Sequence, residues 1–144
     1  MPICNKILFF VIFIFTSQPI IADTKYAPTS VEMEVKKVSN HVYYVEGLPG
    51  IATDNEGFIS NAGFIVTSDG VVVFDSLGTP SLAYKLVQKI KTITKQPIKK
   101  VVVSHFNADH IYGLQVFEEL GAEIIAPYGA QKYIHSDAAK ERLE

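Results

Sequence analysis

The chain has 144 residues, 48% of them hydrophobic, which limits it to one globular domain. Its 13 basic and 15 acidic residues leave a formal net charge of -2, so no nucleic-acid partner is indicated. Lys85, Lys89, Lys91, Lys95, Lys99 and Lys100 form the one basic concentration, and around a predicted helix end they read as a solvated face.

Residues 1–22 read as a cleavable export signal. Lys6 precedes an unbroken apolar run over 7–15, followed by Thr16, Ser17, Gln18 and Pro19, with cleavage expected after the small Ala22. A membrane span needs about 20 consecutive apolar residues. This run breaks at Thr16 and again at Pro19, so no stable anchor is expected after cleavage, an uncleaved anchor being the alternative. A periplasmic or secreted location follows. Cys4 precedes the run and leaves with the signal, so the mature chain has no thiol, and disulfides, cysteine nucleophiles and cysteine metal ligands are excluded. Any metal site must use His, Asp, Glu or Asn.

A polar linker or N-terminal extension, residues 23–34, precedes the domain at 35–144. Residues 31–38 are a strand candidate, and 41–45 are rich in aromatic and branched residues, as strands are. Residues 47–57 read as a loop long enough to fold over a site, with Pro49, Gly50, Asp54 and Asn55. Residues 64–66 and 71–74 flank Thr67-Ser68-Asp69-Gly70, a hairpin signal. Pro80 opens a helix predicted to reach about Lys95, with Leu82, Leu86, Ile90 and Ile93 on one face. Pro97 ends it. Residues 101–103 predict a short, fully buried strand; Leu114, Phe117 and Leu120 mark a second helix that Gly121 closes; 123–126 is a further strand. The alternation of helix and strand in this half predicts parallel pairing with right-handed crossovers. Tyr43, Tyr44, Tyr112, Tyr128 and Tyr133 read as packing residues.

The chemistry concentrates in Ser104-His105-Phe106-Asn107-Ala108-Asp109-His110, after a buried strand and before a helix. Loops at the carboxyl ends of parallel strands are where such folds place their sites. Two imidazoles and a carboxylate in this stretch suit a divalent metal, because neutral imidazole and carboxylate oxygen are good zinc ligands. The alternative is a helix-capping loop, with Asn107 or Asp109 as the cap. Ser104 beside His105 is not a triad, since neighbours in a strand point to opposite faces. There is no Gly-x-Ser-x-Gly elbow, phosphate loop or dinucleotide fingerprint. His41 and His135 read as ordinary surface histidines.

At this point the sequence resembles the metallo-β-lactamase superfamily, whose signature is His-x-His-x-Asp-His in this strand-to-helix position. The run Ser60-Asn61-Ala62-Gly63-Phe64-Ile65-Val66, the Asp69-Gly70 turn, the strand ending at Asp75, Gly78-Thr79-Pro80 and Gly113-Leu114-Gln115 fit as well. Together they look most like the periplasmic zinc metallohydrolases linked to quinoprotein relay systems. The resemblance implies an α/β fold, the N-terminal αβ half of an αββα sandwich, with a mixed sheet and helices on one face. It implies zinc as cofactor, one or two ions in the family and one or none here. His105 matches a ligand of the first metal; Asp109 and His110 match ligands of the second, and Asp109 also orients the attacking water. Asp75 matches an aspartate that supports the histidine loop, its alternative being a strand-terminal turn residue.

The chain departs from the family in two respects. Asn107 stands where the second histidine belongs, and an amide oxygen is a weak zinc ligand. The family completes its sites with ligands beyond this loop, whereas the sequence ends at Glu144, so the domain is expected to be truncated. Of His105, Asp109 and His110 the resemblance assigns some to each of two metals. The expected function is an exported zinc hydrolase attacking an ester, amide or thioester-type bond of an unknown small molecule. The alternatives are a catalytically inactive remnant, or one half of a split enzyme that docks on a complementary C-terminal half.

Overall fold

The computed structural model describes residues 25–130, with 132 and 137. The export signal, Cys4, Tyr133 and His135 lie outside the described residues. Six strands form one sheet in chain order: β1 (Val35–Lys37), β2 (Val42–Val45), β3 (Ala62–Val66), β4 (Val71–Phe74), β5 (Ile98–Val102) and β6 (Glu123–Ile125). The first four pair antiparallel, whereas β5 pairs parallel to β4, and β6 parallel to β5. Parallel neighbours need crossovers. Helix α1 (Pro80–Ile93) joins β4 to β5, and α2 (Ala108–Ile111) with α3 (Leu114–Glu119) joins β5 to β6.

Local chemistry sets the first boundaries. Between β3 and β4 the Thr67 amide and hydroxyl both donate to the Gly70 carbonyl, at 2.9 and 2.7 Å, and Gly70 adopts φ +143°, a region open to glycine. This is the predicted hairpin. At α1, the Thr79 hydroxyl accepts from the Leu82 amide at 3.2 Å, and Pro80 follows at the first helical position.

Packing separates the two faces of the sheet. Val45, Phe64, Val73 and Val101 point to one side and are buried against Leu82, Leu86, Ile90 and Phe117 of the helices. Burying each such side chain contributes about 1.5–3 kcal/mol. Tyr43 joins this layer, its ring stacked on Phe64 at 5.0 Å. The opposite face carries, in register across β2 to β6, Tyr44, Gly63, Phe74, Val102 and Ile125. Phe74 and Ile125 are exposed there, and Tyr44, Gly63 and Val102 partly so, which leaves this face of the sheet partly open among the described residues. Lys100 and Glu123 pair on it at 3.1 Å.

Several expectations need correction. Strand β1 starts at Val35, four residues later than predicted, yet Val31 and Met33 are buried in the core. The Lys85 ammonium donates to the Val31 carbonyl and the Ser30 amide donates to Glu56, so the end of the expected linker packs on the domain. Strand β5 begins at Ile98 and is not buried throughout, because Lys99 and Lys100 are exposed and Val102 faces the open side. Helix α1 stops at Ile93, where Thr94 turns extended, leaving Ile93 exposed while Ala83 and Val87 fill the face. In α3, Val116 is buried and Leu120 exposed. Tyr128 is fully exposed, contrary to its expected packing role.

Candidate metal centre

The site forms where β4 and β5 end side by side. Phe74 pairs with Val102, so the residues leaving both strands, Asp75 and Ser104, emerge at one edge of the sheet. Asp75 is 7% exposed and takes φ +61°, and Leu77 takes φ +67°, so the chain turns through two left-handed residues directly after β4. For a residue such as leucine this costs about 1–2 kcal/mol.

The Asp75 carboxylate accepts three hydrogen bonds. The Ser104 amide donates to Oδ1 at 2.8 Å, the Ser104 hydroxyl to Oδ2 at 2.6 Å, and the His110 Nδ1 lies 2.9 Å from Oδ2. A carboxylate can only accept, so His110 Nδ1 carries a proton, and in the neutral ring the lone pair is then on Nε2. That lone pair faces Asp109 Oδ2 at 3.3 Å. Two acceptor atoms facing each other repel unless a proton or a metal cation lies between them. Zinc bonds of about 2.0–2.1 Å at a tetrahedral angle separate two ligand atoms by roughly 3.3–3.4 Å, so this pair fits one zinc ion.

His105 sits apart from that pair. Its ring packs on Phe106 at 4.6 Å and meets the His110 ring edge-on at 5.5 Å, and the residue is exposed. Asn107 occupies the N-cap position of α2, with φ -66° and ψ 150°, but its side chain makes no cap bond. The alternative of a side-chain capping loop therefore loses its Asn107 form. His41 is exposed, as expected of a surface histidine. Among the described residues no three His, Cys, Asp or Glu come together as a metal-holding group. The residues present thus fit one arm of a zinc site, His110 with Asp109, and not a closed one.

Buried small residues hold α2 in place, a role that residue type and spacing did not reveal. The Ser60 hydroxyl donates to the Asp109 carbonyl, and the Ser76 amide and hydroxyl donate to the His110 carbonyl at 2.8 and 2.9 Å. Gly113 lies so close to β4 that a Cβ there would overlap the Ser76 carbonyl oxygen and stand 2.5 Å from the Ala83 Cβ. Ser60 opens one of the stretches that carried the family resemblance, and Ser76 follows Asp75; adjacency to those stretches was the available signal. Beside α2 a cavity of about 480 Å³ opens, lined by Glu56, Ile59, Thr79, Ala108, Asp109 and Tyr112 among others. It is of a size that small-molecule sites use, about 300–1,000 Å³.

Comparison with known proteins agrees with this fold. A family profile described as the metallo-beta-lactamase superfamily matches residues 55–144. Among solved structures, the chain is similar to a metallo-beta-lactamase from Pontibacter korlensis, at 21% identity and TM-score 0.63, over 74% of this chain and 49% of that one. A metallo-beta-lactamase from Hirschia baltica is 20% identical with TM-score 0.60, over 76% of this chain and 48% of that one. TMB-1 is 18% identical with TM-score 0.58, over 75% and 47%. These likenesses show the fold: the chain spans about half the length of the structures it matches, and the shared half is the N-terminal αβ layer. From its sequence match and its architecture together, the chain belongs to the metallo-beta-lactamase superfamily.

Proposed function

We propose that this chain carries the histidine-loop half of an exported zinc-dependent hydrolase. The observation that carries the reading is the 3.3 Å approach of His110 Nε2 to Asp109 Oδ2, with the imidazole proton engaged by Asp75 on the far side of the ring. His110 and Asp109 would hold the ion, with His105 as a further ligand if its loop turns inward. Bound zinc supplies a water whose pKa falls to about 7, and thus a nucleophile at neutral pH. Asp75 keeps Nε2 free for coordination by retaining the ring proton on Nδ1. Asp109 also lines the cavity, and its carboxylate would orient a water for attack on an ester, amide or thioester-type bond. Export rests on the apolar run at 7–15 and the small residue at Ala22.

Zinc sites use three or four protein ligands. We therefore propose that a complementary αβ half supplies the missing donors and covers the open face that Tyr44, Phe74, Val102 and Ile125 share. A two-sheet sandwich buries such a face from the other side.

Asn107 favours a second reading, an inactive remnant, because it replaces an imidazole with an amide in the loop. Zinc content and affinity, measured after refolding without metal, separate the two. The chain as it stands is compared with Asn107→His. Near-stoichiometric, sub-micromolar zinc in the original chain supports a working half-site; no tight zinc in either form makes the chain a remnant or one piece that holds metal only beside its complementary half.

A further inference from the structure

Helix α2 is a single turn, and its carbonyls cannot all find partners within it. In a continuing helix the Gly113 amide would serve the Asp109 carbonyl. Here that amide donates to the Leu77 carbonyl at 3.1 Å instead, and the chain breaks before α3 begins. The Asp109 carbonyl is taken by the Ser60 hydroxyl, and the next carbonyl, of His110, by the Ser76 amide and hydroxyl. Ser60 precedes β3 and Ser76 follows β4, and those strands pair with Gly63 opposite Phe74, so both hydroxyls stand at one edge of the sheet. Ser60 is 6% exposed and Ser76 is 0% exposed. Buried hydroxyls need partners, and these two meet the backbone of two consecutive site residues.

We propose that Ser60 and Ser76 are positioning residues, a pair of hydroxyls that fixes the backbone of Asp109 and His110 and thereby the spacing of Oδ2 and Nε2. The proposal rests on the reading that Asp109 and His110 hold a metal. The two serines are not equivalent. Ser76→Ala leaves the His110 carbonyl with the Ser76 amide, whereas Ser60→Ala removes the one donor that the described residues give the Asp109 carbonyl.

The test uses the full chain in two measurements. Competition with a chromogenic chelator gives zinc affinity, and amide hydrogen exchange on the metal-free chain reports on residues 109–113. Ser60→Ala should lower zinc affinity by about 10- to 100-fold, the usual cost of losing an outer-shell partner. Ser76→Ala should cost less, and Ser60→Thr, which keeps the hydroxyl, should recover most of the loss. In the metal-free chain Ser60→Ala should speed exchange at 109–113 while the amides of α1 stay protected. Unchanged exchange there, or a uniform loss of protection across the sheet and α1, overturns the clamp. If the original chain binds no zinc while the local exchange effect is present, the clamp stands and the metal reading fails. Tight zinc in the original chain with neither effect in Ser60→Ala refutes the clamp and leaves the metal reading intact.

Discussion

Replacing Asp75 with asparagine changes almost no volume but reverses one hydrogen-bond polarity, and the structure lets the outcome be worked through. The carbonyl oxygen of the introduced amide can keep the bond from the Ser104 amide, which reaches Oδ1 at 2.8 Å in the original chain. The introduced amide nitrogen then stands where Oδ2 was, facing the Ser104 hydroxyl and His110 Nδ1. The hydroxyl can rotate to accept. The imidazole can accept only by moving its proton to Nε2, which blocks the lone pair that faces Asp109. Hydrogen bonds to a charged group contribute about 1.5–3 kcal/mol and neutral ones about 0.5–1.5, so losing charge assistance in these bonds costs roughly 1–3 kcal/mol of stability. Zinc affinity should fall by about 10- to 100-fold, a cost of similar size, because the ring presents the wrong tautomer. Long-range proton–nitrogen correlation spectra of His110 in the metal-free protein read the tautomer, and urea unfolding reads the stability. An Asp75→Asn protein that keeps the proton on Nδ1 and binds zinc as before would refute the reasoning.

Gly113→Ala should destabilise the protein by about 3 kcal/mol, the upper end for overpacking, because its Cβ meets the Ser76 backbone rather than a yielding side chain; denaturant midpoints check it, and a neutral result would mean α3 shifts freely from β4. The Glu56 carboxyl is held below its usual range by the Ser30 hydroxyl, the Thr29 hydroxyl and the Ser30 amide. A depressed folded value means that this contribution is present above the ordinary value of 4.5 and is lost as pH falls through the folded value below it. Ser30 amide exchange, corrected for its intrinsic pH dependence, should therefore lose protection on acidification below 4.5, and Glu56→Gln should remove the step.

Sequence patterns were sufficient where the signal was local. The turn at residues 67–70, the Thr79-Pro80 start of α1 and the apolar stripe through Leu82, Leu86 and Ile90 each depend on neighbours a few residues away. Periodicity failed at helix ends: it extended the buried stripes to Ile93 and Leu120, both exposed, because where a helix stops depends on what it packs against. It also missed α2, since four residues are too few to show a period and this turn is held by Ser60, Ser76 and Leu77 from other parts of the chain. In the site, residue type and spacing pointed to the stretch from His105 to His110. They could not separate exposed His105 from the His110 and Asp109 pair, because that depends on how the backbone turns after β5. Asp75 was legible through family resemblance alone; its partners are 29 and 35 residues away.

Strand order along the sheet equals strand order along the chain, and this bears on how the protein folds during synthesis. Each new strand finds its neighbour already made, so the antiparallel meander of β1 to β4 can assemble from near-neighbour contacts. Asp75 then stands at the tip of β4 in water, fully hydrated. It becomes buried only when β5 docks, and β5 is the strand that delivers Ser104 and leads into His110. Burial of the carboxylate thus requires the same segment that carries its donors, Ser104 and His110.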